Sequence, residues 1–402
     1  MMENKTIAKT IPAQPWMISP AARRIMRILN GGAAEPLALF VGGCVRNALA
    51  GEAVTDIDIA TRLTPPEVME RCAAADIRAI PTGIDHGTVT AVVDGAPFEI
   101  TTLRRDVETD GRHAVVAFSQ DWREDAQRRD FTMNTLLADS GGHVYDPTGQ
   151  GISDLAAGRV VFVGDPAQRI AEDYLRILRF FRFHARYGKG APDAAALAAC
   201  AAAADRIATL SRERISQEFF RILAAENPAP ILRLMFDHRV LPAFSFPEYD
   251  AAALTRLCAL QRIYETPSLA ARFVLLSGTL QNIKVMEDFL IFPKYLKKGI
   301  EILMEVAFSD PLNEDMKMKR ALYRHGREIG IQALLLQVAR GQVPESFVAA
   351  GMTLARTWEI PSFPVSGEDL IRQGHKPGPD LGRTLREMEE AWIENGFSRD
   401  GA

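Results

Sequence analysis

Apolar residues fall in two regimes along the chain. As far as about residue 160 they come in short runs and alternations; from about Pro166 onward they recur at three- and four-residue spacing. In the first regime, Leu37 to Val41 reads as a buried strand and Asp56 to Ala60 as an alternating one. His86 to Val93, Asp94-Gly95 and Pro97 to Leu103 spell a hairpin around a D-G turn. Arg104 to His113 is polar, charged and glycine-bearing, hence a loop. The apolar run to Ala138 turns back at Ser140-Gly141-Gly142 into a strand at His143 to Tyr145. Ser19-Pro20 opens a helix that stops at Gly31-Gly32, a short helix follows Gly42-Gly43 through Ala50, and Thr64 with Glu67 forms a capping box for a helix to about Ala75. In the second regime the pattern predicts helices over 166–188, 192–206, 212–225, 228–236 and repeatedly to the end. The expected class is α+β: a mixed α/β head followed by an all-helical remainder.

Composition narrows the field. The chain has 402 residues, 47% hydrophobic and 24% charged, enough for roughly two to four domains. A net charge of −4 means that any contact with nucleic acid must come from local basic surfaces. Cys44, Cys72, Cys200 and Cys258 are far apart and form no C-x-x-C pair, so neither a zinc site nor a disulfide framework is expected, and a reducing cytoplasm fits. Met1 to Gln14 lacks the apolar core of a signal peptide, and no apolar run is long enough to span a bilayer. There is no P-loop motif and no metal-binding histidine spacing, and Asp237-His238 stands in the wrong order for an HD phosphohydrolase pair.

Against that background one constellation stands out. Asp56 and Asp58, at i and i+2 of a strand, point to the same face. Two hard oxygen ligands beside a nucleotide's phosphates suit Mg²⁺, and two metals roughly 3.5–4 Å apart would activate an attacking hydroxyl and stabilise leaving pyrophosphate. Upstream, Gly42-Gly43 lets backbone approach a phosphate at the start of a helix that carries Arg46 in its first turn. An isolated D-x-D is common; strand, Gly-Gly, helix, strand, Asp-x-Asp in that order is far more specific. The stretch GGCVRNALAGEAVTDIDIAT, Gly42 to Thr61, resembles the signature of the polymerase-β nucleotidyltransferase superfamily, and more narrowly the class II CCA-adding enzyme and bacterial poly(A) polymerase family. The resemblance implies that Asp56 and Asp58 are metal ligands and that Gly43 and Arg46 contact the nucleotide. Asn47 departs from the Asp frequent in that family. Glu99 is the candidate for a third carboxylate from a neighbouring strand, with a solvent-facing strand glutamate as the plain alternative.

Two arginine-rich segments extend the match. Arg128-Arg129-Asp130-Phe131-Thr132 resembles the family's R-R-D-F-T signature, which points to Arg129 as a triphosphate ligand, while Arg128 and Asp130 pair with neighbouring charges if they serve structure alone. Farther on, Asp173, Arg176, Arg179 and Arg182 recur every third residue, a drifting stripe on one helix face. A solvated basic face is the bland account, but the helix itself carries few balancing acids. Cytosine and adenine each present an amino donor beside an unprotonated ring nitrogen, so a carboxylate with a guanidinium selects C and A over U and G without a template. The segment resembles the family's E-D-x-x-R motif, which implies that Asp173 and Arg176 read the base and that Arg179 and Arg182 bind nucleotide. Tyr174 stands where Pro is frequent.

Three further segments are less telling. Arg104 to His113 resembles a flexible loop that the family links to the switch from C to A addition, or is an ordinary charged loop. Lys317, Lys319, Arg320, Arg324 and Arg327 form a basic cluster that would meet RNA phosphates or line a solvated helix face. Gly374 to Gly382 resembles a family tail segment, or is an inter-helix turn.

The resemblance thus implies a nucleotidyltransferase head over residues 18–160, a helical neck over 161–225 with the base-reading stripe, and a helical body and tail over 226–402 that hold RNA. The implied activity is Mg²⁺-dependent addition of CCA from CTP and ATP to tRNA 3′ ends. A poly(A) polymerase or an A-only enzyme would share every site residue. A non-catalytic RNA-binding protein is the reading from another class, and the intact acids and arginines weigh against it.

Overall fold

A computed structural model describes residues 7–110, 113–244 and 246–398. The strands are β1 (Lys9–Thr10), β2 (Ala38–Val41), β3 (Asp58–Thr61), β4 (Arg78–Gly83), β5 (Thr88–Val93), β6 (Ala96–Thr102), β7 (Arg104–Asp110), β8 (His113–Phe118), β9 (Leu137–Ala138) and β10 (His143–Tyr145). Eight of them form one sheet in the order β1-β10-β9-β2-β3-β6-β5-β4, antiparallel except between β3 and β6. The D-G turn closes β5 onto β6 with positive φ at both Asp94 and Gly95, the geometry that matches strand twist. β4 is an edge strand, where Pro81 removes no needed donor.

The helices that frame the sheet are α1 (Pro15–Ile18), α2 (Pro20–Asn30), α3 (Gly43–Ala50), α4 (Pro65–Ala74), α5 (Trp122–Gln127) and α6 (Gly151–Ala157). α2 begins on the Ser19 hydroxyl, which accepts from the Ala22 N–H, and ends at left-handed Gly31; α4 carries the full Thr64–Glu67 capping box. α2 and α4 pack on β5, and α2 also on β2. Leu39 and Val41, of opposite parity to Ala38 and Phe40 on β2, join Ala60, Leu103, Trp122 and Leu137 in a separate buried cluster. Asp58 shares the parity of Ala60, so it stands on that second face.

Three departures from the sequence reading bear on the site. β3 starts at Asp58, so Asp56 precedes the strand, outside any assigned element. Arg104–Asp110 pairs with His113–Phe118 as a β7–β8 ribbon rather than a free loop; Gly111 and Arg112 lie outside the described residues. The helix expected over 166–188 is two: α7 (Pro166–Glu172) and α8 (Leu175–Tyr187). Asp173 between them is extended, at φ −156° and ψ 105°, and its Oδ1 accepts from the Leu175 N–H to start the second helix. Phe131, Phe162, Phe180 and Phe183 meet at centroid distances of 4.8 to 6.5 Å and fix α8 to the strand segments before it.

The next helices are α9 (Ala194–Ala202) and α10 (Arg212–Leu223), then α11 (Ala229–Asp237), α12 (Ala251–Ile263), α13 (Leu269–Ser277), α14 (Leu280–Met286), α15 (Lys294–Ala307), α16 (Asp315–Ala339), α17 (Val348–Thr357), α18 (Gly367–Arg372) and α19 (Pro379–Glu394). The chain divides into two compact units: one up to Ile222 with Leu234–Ala243, the other Leu223–Arg233 with Phe244 onward. The second is helical. Its interior holds Arg272, which donates from Nε to Gln261 and from Nη1 to the carbonyls of Leu223 and Ala225, so that its buried charge is hydrogen-bonded. No helix among the described residues is long and apolar enough to cross a membrane. All four cysteines are buried and unbridged.

Candidate active site

The parallel register sets Asp58 of β3 opposite Glu99 of β6, and paired residues project from the same face. Burial pushes the Asp58 carboxyl up to about 6, with Glu99 and then Asp56 adding like charge and Arg129 and Arg46 opposing it. Asp56 is exposed, two residues ahead of the strand, and its Oδ2 accepts from the Thr55 hydroxyl at 3.1 Å. Among the described residues no three His, Cys, Asp or Glu side chains converge into a ready-made metal cage. Two neighbouring carboxylates, one of them resisting ionisation, fit an ion that takes its remaining ligands from substrate phosphates and water, the usual habit of Mg²⁺.

The glycine turn follows β2. Gly42 has φ +69° and caps α3; a side chain there would be strained whatever the space. A Cβ on Gly42 would lie 3.6 Å from Arg129 Nη1, which places that guanidinium over the turn. Asp125, buried on α5, holds both arginines: Oδ1 accepts from Arg128 Nε at 2.8 Å, and Oδ2 accepts from Arg129 Nε at 3.0 Å and Nη2 at 2.9 Å. Burial works against the Asp125 charge, but the two guanidinium groups outweigh it and keep the carboxyl below its ordinary range. Arg129 is thereby fixed through one edge and leaves its Nη1 toward Gly42.

Arg46 sits deeper than expected. It is 8% exposed, donates to Asn47 Oδ1 and Asn134 Oδ1, and lies 4.6 Å from the Tyr187 ring centroid and 5.0 Å from that of Phe183. Gly43 opens α3, and a Cβ there would meet little but Arg46 Nη2 at 3.8 Å.

The arginine stripe of α8 is balanced, contrary to expectation, by acids from other elements. Arg179 donates to Asp130 Oδ2 at 2.7 Å, and Arg182 pairs with Glu218 of α10. Burial alone would raise the Asp130 carboxyl; the charge and hydrogen bonds of Arg179, with the Asn134 amide, bring it down to about 2. Arg176 donates to Glu172, to the Arg169 carbonyl and to the Arg128 carbonyl. Asp173, off the helix at the α7–α8 break, pairs through Oδ2 with Arg214 at 2.7 Å. The segment Arg128 to Asp130 therefore links the two groups of residues: Arg129 faces the Gly42 turn, the Arg128 carbonyl holds Arg176, and Asp130 holds Arg179.

Sequence reasoning missed Asp125, Arg214, Glu218 and Asn134. Asp125 was readable, since it stands three and four residues before Arg128 and Arg129 on one helix turn. Glu218 meets α8, and Arg214 meets Asp173, only through tertiary packing, and neither leaves a local signal. A cavity of about 1000 Å³ lined by Leu39, Arg62, Trp122, Leu137, Tyr145 and Ile152 among others touches none of the predicted site residues.

Residues 38–161 match the family model described as "Poly A polymerase head domain", and residues 191–253 match "Probable RNA and SrmB- binding site of polymerase A". The human protein named "CCA tRNA nucleotidyltransferase 1, mitochondrial" is 33% identical over 380 residues, 90% of this chain and 84% of that one. The "CCA-adding enzyme" of Limosilactobacillus fermentum is 30% identical over 98% of this chain and 96% of its own. In fold, the chain is similar to the Bacillus stearothermophilus CCA-adding enzyme in complex with CTP, with TM-score 0.74, 24% identity and 94% coverage of both chains. It is similar also to the Thermotoga maritima CCA-adding enzyme complexed with tRNA, with TM-score 0.66, 19% identity and coverage of 92% and 91%. With an α/β head that sets paired acids beside a glycine turn, and with relatives matched across nearly their whole length, the chain belongs to the CCA-adding tRNA nucleotidyltransferase family.

Proposed function

We propose that this chain completes tRNA 3′ ends with CCA, adding CTP- and ATP-derived nucleotides without a nucleic-acid template and releasing pyrophosphate. The observation that carries the reading is the segment Arg128 to Asp130: its Arg129 faces the Gly42 turn and acts on the charge of Asp58, while its Arg128 carbonyl accepts from Arg176. In this reading residues 18–160 are the catalytic head, 161–225 the neck, and 226–402 the body and tail that hold RNA. The buried, unbridged thiols support a reducing, cytoplasmic setting.

Asp56 and Asp58 would hold Mg²⁺, with Glu99 beside them; when bound, the ion neutralises α-phosphate charge and favours an ionised attacking hydroxyl. The chain's own residues do the rest. The Gly42 turn and Gly43 leave backbone open to phosphate, and Arg129, oriented by Asp125, supplies a guanidinium to the triphosphate. Asp173 accepts from the base amino group and Arg176 donates to the ring nitrogen, so U or G leaves those groups unmatched at about 1–3 kcal/mol each. Arg179 and Arg182, anchored on Asp130 and Glu218, keep the reading helix in place and present positive charge to the nucleotide. Arg46, which the resemblance assigns to the nucleotide, also lies over the Phe183 and Tyr187 rings and so holds α3 against α8.

The test is incubation of the purified protein with tRNA lacking CCA, and separately with unstructured RNA, with each nucleoside triphosphate in turn and together. Addition of C, C and A to tRNA alone is the expected result. Long A tails on both RNAs would assign it to poly(A) synthesis, and tRNA binding without incorporation to a non-catalytic role. In a companion experiment, Asp173→Ala blurs the preference for CTP over UTP more than it slows incorporation. An unchanged preference in that variant removes Asp173 from base reading.

A further inference from the structure

Asp56 stands in a short span whose two ends are fixed very differently. Downstream, Asp58 enters β3 and is held by the sheet. Upstream, the anchor is a polar knot around Asn47. The Asn47 backbone carbonyl accepts from the Glu52 N–H at 2.9 Å, and its side-chain amide donates from Nδ2 to the Ala53 carbonyl at 3.0 Å. Its Oδ1 accepts from Arg46 Nε and Nη2 and from the Tyr187 hydroxyl at 2.8 Å. Donors on one side and a carbonyl on the other settle which way the amide points. Arg186 adds a second strap, donating from Nε at 2.9 Å and from Nη2 to Glu52 Oε2. Both straps, Tyr187 and Arg186, come from the last turn of α8, whose first turn carries Arg176. A helix of 13 residues spans about 20 Å, so one rigid rod reaches from the base-reading residues to the acidic span.

We propose that Asn47 is a positioning residue for the metal-binding carboxylate Asp56, hanging the acidic span from the far end of the base-reading helix together with Tyr187 and the Arg186–Glu52 pair. The inference rests on the assignment of Asp56 and Asp58 as metal ligands. In this chain the amide closes the knot from both sides, accepting from Arg46 and Tyr187 and giving a proton to Ala53, and a side chain that can do neither releases the Ala53 carbonyl. Freeing Ala53 releases the upstream end of the span, and Asp56 then samples more backbone states. Mg²⁺ and Mn²⁺ discriminate against such looseness, since an octahedral ion demands ligands already near their places.

The test compares Asn47→Ala, Glu52→Gln and the double variant with the wild type. Mn²⁺ binding is followed through the loss of the free-ion paramagnetic resonance signal, and CTP binding is measured without metal. Each single variant is expected to weaken Mn²⁺ binding about threefold and the double variant about tenfold, with metal-free CTP binding within about twofold of wild type. Tyr187→Phe, which removes one hydroxyl from the same knot, is the milder variant should the double one fold poorly; it too weakens Mn²⁺ binding. Wild-type Mn²⁺ affinity in a folded double variant, or in Tyr187→Phe, overturns the proposal. A wild type that adds no nucleotide to tRNA, yet whose variants lose Mn²⁺ affinity as stated, overturns the activity and leaves the positioning role standing.

Discussion

Asp58 is held where its own charge is unwelcome. Burial first, and then Glu99 and Asp56, raise its carboxyl to about 6 from an ordinary value of 3.8. A folded value above the unfolded one means that this group's contribution to stability is full below about pH 4 and is lost as pH rises through 6. At neutral pH the metal-free protein therefore carries an ionised Asp58 at a cost that a cation relieves. Asp58→Asn is expected to abolish incorporation, by more than about a thousandfold, while raising the melting temperature of the metal-free protein at pH 8; a lower melting temperature in calorimetry would contradict the strained-charge account. With Asp58 as the proposed metal ligand, proton and metal compete for its oxygens, so Mn²⁺ affinity should be flat above pH 7 and fall toward tenfold per pH unit below 6. Calorimetric titration between pH 5 and 8 reads that slope directly, and a pH-independent affinity would place the ion elsewhere.

Among elements, the sequence revealed periodicity and caps but not where an acid breaks a period. The β5–β6 hairpin, the Ser19 cap and the Thr64–Glu67 box were legible because each is set by residues within four positions of one another. The break at Asp173 was not, because leucine, isoleucine and phenylalanine continue the helical spacing across it, while the deciding contacts come from Arg214 on α10 and from a local side-chain cap. Arg179 and Arg182 looked unbalanced for the same reason: their counter-charges, Asp130 and Glu218, are 49 and 36 residues away. That distance makes the Asp130–Arg179 pair a joint between elements. Its carboxyl is brought down to about 2, so its stabilising share is present above about pH 4 and lost as pH falls toward 2. Asp130→Ala leaves Arg179 without its main partner and is expected to cost about 3 kcal/mol in denaturant unfolding at pH 7. The penalty should shrink toward pH 2, where the wild type has lost the same charge; a penalty independent of pH would mean that packing, and not the ion pair, carries it.

For the molecule as a whole, the question is how a chain of net charge −4 grips a polyanion. The basic cluster at Lys317 to Arg327 offered one answer in the sequence, and in the structure it is largely spent. Arg324 pairs with Glu390 and Arg320 approaches Glu394, both on α19; Arg327 donates to the carbonyls of Ala355 and Trp358; Lys317 lies 3.4 Å from Glu314. Tyr323 stacks edge-on against Trp392 at 5.5 Å beside the same seam, so the cluster fastens α19 to α16. An arginine that stays in its ion pair neutralises no phosphate and displaces no counterion from RNA, and the slope of log affinity against log salt counts only those that do. Arg324→Ala is therefore expected to leave the salt slope for tRNA unchanged and to cost less than about 1 kcal/mol in stability, the usual worth of an exposed pair. A residue that truly met a phosphate would instead lower the slope by about one and weaken every RNA alike. Titrating tRNA binding from 50 to 300 mM salt in both proteins separates the two, and a shallower slope in the variant would return this helix face to the RNA-binding surface.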